Sequence, residues 1–329
     1  MGLKPMARIL SIAAVAVFLL LVFVIVPLAI ASTHRTDLYY TLSSVALLAI
    51  ASAGVWLTFY IGRINIGQGA FALVGGYVSA VLVTRYGFSF WVSLPIAGLF
   101  CALASVLIGL PILRLRGVYF AMVTLVLTEV ARLAALALTV TNGAKGITSI
   151  PAPGAIGLFG LTLVPAFDSF AERNLAFYML SATMMILCFA ALYRLVNSRL
   201  GQLFAALRQN EDLASSMGLN VPALRVLAYA ISSFLGGVGG AIFVAIAQSI
   251  YPSSFTVNDS VNFMLYCFLG GLGYVFGPML GTLVLYFGWD LLFQTGEYQL
   301  LIYSGIMIIL MLALPNGLLS LRLPSLRGS

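Results

Sequence analysis

The chain has 329 residues, of which 62% are apolar and 8% charged, and it carries a net charge of +7. Soluble domains hold about 45–50% apolar and about 25% charged residues, so a water-exposed globule and a disordered segment are both excluded. The Lys and Arg lie scattered between apolar runs, with no basic stripe and no aromatic-interleaved groove, which excludes nucleic acid as a partner and leaves the lipid bilayer as the solvent.

A spanning helix needs about 20 apolar residues. Apolar segments at 8–31, 39–61, 67–84, 91–113, 118–140, 175–196, 226–248, 260–272, 276–293 and 298–315 predict an all-α, polytopic transmembrane helical bundle of about ten spans. The whole of 1–329 reads as one transmembrane domain. Lys4 and Arg8 precede the first run, and Ala29-Ile30-Ala31 resembles a signal-peptidase site. The run is longer than the roughly 7–15 residues of a signal h-region, so it reads as a retained span. Met6 stands where myristoylation wants Ser or Thr. His34, beside Arg35 in a polar turn, reads as a solvated loop residue.

Residues 62–77 bring Asn65 and Gln68 into a span beside Gly62, Gly67 and Gly69. A helical break at depth is tolerated beside protein or a water-filled cavity. A translocation path and a tight helix crossing therefore both fit. Further on, Glu129 and Arg132 lie inside a span, with Glu129 about 16 Å past the helix start at 1.5 Å per residue. Positions three apart share a face and can pair. The two residues line a pathway or clasp helices together.

Two loops exceed mere turns. The outer loop, 141–174, is rich in Gly and Pro, and the inner loop, 197–225, reads as a short amphipathic helix with Phe204, Leu207 and Glu211, then Leu213 and Met217, at spacings of three and four. Gly218 and Asn220 suit a left-handed ending, and Pro222 stops continuation. Such a helix suits either a groove on another protein or the lipid surface. Gly236, Gly237, Gly239 and Gly240 predict close helix packing. The segment 260–272 is short for a crossing, so 260–293 forms two spans or a re-entrant hairpin. The Gly-rich turn 269–281 echoes 62–77 on the same side, as in transporters built from repeated halves.

Orientation follows from the positive-inside rule. Lys4, Arg8, Arg63, Arg114, Arg116, Arg194, Arg199, Arg208, Arg225, Arg322 and Arg327 fall on one side; Arg35, Arg85, Lys145 and Arg173 fall on the other. Both termini are then expected in the cytoplasm. Asp37, Asp168, Glu172, Asp259 and Glu297 read as outer acids, with Asp290 near that boundary. Cys101, Cys188 and Cys267 sit in apolar runs without metal-ligand spacing, so no metal and no cofactor is expected. The only lysines, Lys4 and Lys145, do not follow Gly, so no Walker A sequence exists. H-E-x-x-H and G-x-S-x-G are absent too, and no catalytic constellation is expected.

Four motifs now carry a resemblance. Arg114-Leu-Arg-Gly-Val-Tyr-Phe-Ala-Met-Val-Thr-Leu125 with Glu129 and Arg132, Ala206-Leu-Arg-Gln-Asn-Glu-Asp-Leu-Ala-Ser-Ser-Met-Gly-Leu-Asn220, Leu269-Gly-Gly-Leu-Gly-Tyr-Val-Phe-Gly-Pro278 and Asn65-Ile-Gly-Gln-Gly-Ala-Phe71 resemble the LivM-like permease subunits of bacterial branched-chain amino acid ABC importers. The matches follow the family's order from about residue 40 to 320.

The resemblance implies a type II ABC importer-like permease in the bacterial inner membrane. Its implied partners are a second homologous permease subunit, two cytoplasmic ABC ATPase subunits and a periplasmic substrate-binding protein. The ATPases, not this chain, would hydrolyse ATP. Residues 205–219 resemble the coupling helix of such importers, with Asp212, Ala214 and Gly218 at the EAA-motif positions. Asp replaces Glu, and Leu213 replaces the first Ala. Ala206, Arg208 and Glu211 join them as ATPase-coupling candidates, and the resemblance favours a protein groove over lipid for this helix. Asn65, Gln68, Glu129 and Arg132 are the intramembrane polar candidates. The implied solute is a branched-chain or related amino acid. Urea or short amides are the alternative within the same class. An ion-coupled secondary transporter is the rival class, and it would need buried titratable groups, of which Glu129 is the one convincing candidate.

Overall fold

A computed structural model describes residues 18–33, 35–115, 117–158, 161–164, 167, 172–314 and 316–322. The expectations on Lys4, Met6, Arg8, His34, Arg116, Asp168 and Arg327, and on the start of the first span, lie outside these residues.

The helices are α1 (Phe18–Thr33), α2 (Asp37–Tyr60), α3 (Gln68–Thr84), α4 (Phe90–Ile112), α5 (Val118–Ala137) and α6 (Arg173–Val196). There follow α7 (Arg199–Gln209), α8 (Glu211–Ser216), α9 (Val221–Ala247), α10 (Val257–Gly270), α11 (Gly277–Leu291) and α12 (Gln299–Ala313). Each of the ten apolar segments overlays a helix. Among the described residues six helical segments are long and apolar enough to cross a membrane, while α1 and α3 are shorter apolar helices. The chain is an all-α polytopic bundle. The outer loop adds a small antiparallel hairpin, β1 (Ile156–Leu158) with β2 (Leu161–Val164).

Helix α9 is the axis of the bundle and packs on α2, α3 and α4. Its glycines are why it can do so. A β-carbon on Gly240 would overlap the Ala72 carbonyl, and one on Gly75 of α3 would overlap Gly237. On another side Gly237 lies against Ala97 and Cys101 of α4. Lipid gives helices no hydrophobic reason to associate, so close backbone approach supplies the dispersion contact that holds them. Helix α2, rich in Ala and Ser, is buried almost throughout its inner part.

The helix ends sort into two sets. At one end Ile147 and Ile250 exchange backbone hydrogen bonds of 2.9 and 2.8 Å, and the Trp91 indole donates to the Gly154 carbonyl at 2.9 Å. The loop after α5 is thereby pinned over α4 and the end of α9. At the other end the Trp56 indole donates to the Leu272 carbonyl at 3.0 Å, and Gly62 lies beside Arg208.

Asp259 is expected among the outer acids; in the structure α10 already starts at Val257, and its first turn lies against Gly69 and Thr128. Thr128 is about 15 Å into α5. Residues 248–256 therefore lead from the end that carries the Ile147–Ile250 pairing to mid-bundle before α10 begins. The 14 residues of α10 then cover about 21 Å, less than the roughly 30 Å of hydrocarbon. The inner-loop helix ends before Pro222, which sits in the first turn of α9, where its missing N–H costs nothing, behind the Asn220 cap.

Candidate functional site

The inner loop folds as two helices rather than one. Asn210 breaks them with extended backbone (φ −161°, ψ 111°) and caps α8, its side-chain oxygen accepting from Asp212 N and Leu213 N at 3.0 Å each. The end of α8 is a left-handed turn at Gly218 (φ +83°), with Leu219 N bonded to Ala214 O and Gly218 N to Ser215 O. That pairing is the Schellman pattern, and it explains the glycine. On α7, Phe204 and Leu207 are buried, Ala206 is partly buried and Arg208 is exposed. On α8 only Ala214 is buried; Asp212 is exposed, and Leu213 and Met217 are 59% and 76% exposed. The apolar spacing did not distinguish the inward pair on α7 from the outward pair on α8.

Glu211 turns inward. Its carboxylate accepts from Arg63 Nη2 at 2.9 Å and is bound by Arg225 through both Nε, at 3.1 Å, and Nη2. Arg63 also donates to the Leu115 carbonyl at 2.5 Å, and Arg225 to the Leu113 carbonyl at 3.5 Å. The side chains of Arg63, Arg225 and Glu211 are 3%, 9% and 19% exposed. One carboxylate thus joins α8, the α2–α3 link, the end of α4 and the foot of α9. Sequence reading used Arg63 and Arg225 only to assign orientation. Their partner, 148 and 14 residues away, left no signal at helical spacing.

The second cluster lies at mid-bundle. Residues 62–67 are non-helical and lead into α3. The first amides of a helix have no partner within it, and in hydrocarbon each would be costly. Here Ile66 N donates to Thr124 Oγ1 at 3.1 Å, Gly67 N to Asn65 Oδ1 at 2.9 Å and Gly69 N to Ser260 Oγ at 3.0 Å. Thr128 Oγ1 lies 3.0 Å from Ser260 Oγ. Gln68 donates to the Ser232 carbonyl at 2.9 Å and accepts from Ser232 Oγ at 3.2 Å. Asn65 and Gln68 are fully buried; Gln68 ties α3 to α9 through Ser232, while Asn65 bonds locally to Gly67 N and Gln68 Oε1. The hydroxyls of Thr124, Thr128, Ser232 and Ser260 complete the cluster. They were not singled out from sequence, because isolated Ser and Thr are ordinary in spans.

Glu129 and Arg132 pair with each other, Arg132 Nε and Nη2 reaching the carboxylate at 2.9 and 2.5 Å. Among the described residues they bond to no other helix. Their side chains are 41% and 30% exposed on a face of α5 that also shows Met122, Val126, Val130 and Leu133. Among the described residues no His, Cys, Asp and Glu group could hold a metal, and Cys101, Cys188 and Cys267 are free thiols.

The comparisons with known proteins agree with this architecture. The family model described as branched-chain amino acid transport system / permease component matches residues 38–314. The high-affinity branched-chain amino acid transport system permease protein LivM of Escherichia coli K12 is 34% identical over 284 residues, covering 81% of this chain and 66% of its own length. LivM of Salmonella typhimurium LT2 is also 34% identical, over the same shares. The ribose import permease protein RbsC of Escherichia coli K12 is 25% identical over 84% of each chain. The chain thus spans just under two thirds of the LivM relatives' length. No solved structure gives a significant match. A multi-pass helical bundle, matched over residues 38–314, belongs to the branched-chain amino acid transport system permease family.

Proposed function

We propose that the chain is the transmembrane permease subunit of a bacterial ABC importer for branched-chain amino acids. ATP is hydrolysed on separate subunits. The observation that carries this reading is the Glu211 junction, which ties an exposed helix to the foot of the bundle axis. Such a helix is a handle: a force applied to α8 reaches α9, α4 and the α2–α3 link through one carboxylate. The outward residues Asp212, Leu213, Met217 and Gly218 form the face that two cytoplasmic ATPase subunits would grip. Ala206 and Arg208 on α7 flank it. This contact gives ATP a differential interaction with the two conformations, which a coupled change requires.

In this reading the helix ends that carry α7 and α8 are cytoplasmic, as are both termini, and the membrane is the bacterial inner membrane. The loop 141–174 receives solute from a periplasmic binding protein. An ion pair at mid-depth is expensive against lipid, so the outward face of α5 with Glu129 and Arg132 is assigned to contact with the second permease subunit. Residues 1–329 act as one permease domain.

The test is uptake by the assembled transporter in vesicles. ATP-dependent entry of leucine, isoleucine or valine that survives collapse of the ion gradients is expected. Uptake driven by a sodium or proton gradient without ATP overturns the reading in favour of a secondary transporter. ATP-driven uptake of urea or short amides alone moves the solute assignment and keeps the mechanism.

A further inference from the structure

Between α10, α11 and α12 lies a cleft of about 780 Å³ bordered by Asp259, Asn262, Tyr266, Tyr303, Met307 and Met311. We propose that it is an intramembrane subsite for an aliphatic amino acid in transit, with Asp259 holding the ammonium group; the assignment rests on the importer reading above. On helix α10, Ser260 and Cys267 are fully buried toward the bundle. Asn258, Asp259, Asn262 and Tyr266 border the cleft beside the apolar Val261, Phe263 and Leu265. Polar and ionisable groups on a membrane helix are expensive and normally face a partner or a wet cavity.

Asp259 is half spent. Its Oδ2 accepts from Thr256 N and Thr256 Oγ1, both at 2.7 Å, which caps α10. Among the described residues its Oδ1 takes no hydrogen bond and no Lys or Arg pairs with it. A carboxylate at mid-depth with one unused oxygen is complemented by a small cation carried in from outside. The Asn262 amide and the Tyr303 hydroxyl, which also bond to nothing among the described residues, offer donors to the solute's carboxylate. Met307 and Met311 supply an adaptable apolar wall for a branched side chain. The volume lies within the roughly 300–1,000 Å³ of small-molecule sites.

The experiment uses the complete transporter in vesicles and measures ATP-driven uptake of L-isoleucine and L-alanine. Asp259→Asn keeps an acceptor for the Thr256 cap and removes the charge. It is expected to lower isoleucine uptake at least tenfold, with the abundance of the assembled complex unchanged. Asp259→Glu should recover a substantial part of that uptake. Met307→Trp, which fills the apolar side of the cleft, should reduce isoleucine uptake more than alanine uptake. Wild-type import with Asp259→Asn and Met307→Trp undiminished overturns the subsite alone. Loss of abundance in Asp259→Asn, with normal uptake by Met307→Trp, overturns it too and leaves Asp259 as a helix cap. A wild-type transporter that imports no amino acid overturns the importer reading and the subsite with it.

Discussion

Glu211 and Arg225, fourteen residues apart, are locked by two hydrogen bonds between a guanidinium and a carboxylate, one through Nε and one through Nη2. Helix α8 and the foot of α9 therefore move as one piece, and Arg63 extends the lock to the α2–α3 link. A buried ion pair adds little net stability when complete, but removing one partner strands the other charge.

Glu211→Gln keeps the size of the side chain and strands two guanidinium groups. The expected loss is about 3–5 kcal/mol, seen as a lower melting temperature of the detergent-solubilised protein. Met217→Ser, on the exposed side of the same helix, should leave the melting temperature unchanged and weaken ATPase association in pull-down.

Gly218→Asp separates folding from coupling. No atom lies within 4 Å of a β-carbon built there, although φ is +83°. Asp tolerates the left-handed region better than most residues, so the strain is at most about 1–2 kcal/mol. Protein should accumulate in membranes while binding-protein-stimulated ATP hydrolysis disappears. Normal stimulation removes the coupling role of this turn.

Gly240→Leu is the opposite case. The new side chain would drive α9 away from the Ala72 carbonyl and from Gly76 on α3. Folded protein in the membrane should fall severalfold, measured by monodisperse yield after extraction. A yield equal to wild type would mean that the α3–α9 contact does not hold the bundle.

Gln68→Ala removes two hydrogen bonds to Ser232. Interhelical bonds of this kind contribute on average about 0.6 kcal/mol each. A loss of about 1 kcal/mol, plus that of the side-chain contacts, is expected in thermal melts, and Ser232→Ala in the Gln68→Ala background should add little.

Glu129→Ala and Arg132→Ala each leave one charge alone on the outward face of α5. Uptake should fall in both with abundance maintained. The exchange Glu129→Arg with Arg132→Glu restores a pair and should recover part of the uptake. Equal loss of abundance in both single variants would assign the pair to stability.

Much of the architecture is legible in the residue order because a bilayer imposes one simple rule. A segment that crosses must be apolar and hydrogen-bonded within itself. The apolar segments therefore coincide with helices, and the glycine run 236–240 marks the close crossings on α9. Local chemistry was readable as well. The left-handed turn at Gly218 and the inner helical loop follow from neighbours a few positions apart. The start of α10 was not readable in the same way: hydropathy marks where an apolar run starts, and a non-helical segment that enters the bundle starts its helix beside Thr128, midway along α5.

Sequence alone determined the solvent, the helical class, the family and the candidate inner loop, since these depend on composition, period and short-range motifs. Tertiary structure alone decided that Arg63, Glu211 and Arg225 form one junction, that Ser and Thr hydroxyls seal the start of α3, and that Glu129 pairs within its own helix. It also placed Asp259 at the border of a cleft between α10, α11 and α12. Each of these is a question of depth or of distance between groups remote in the chain. Only the packing of helices around α9 sets those distances, because a side chain's nearest partners across a helix crossing leave no period in the sequence.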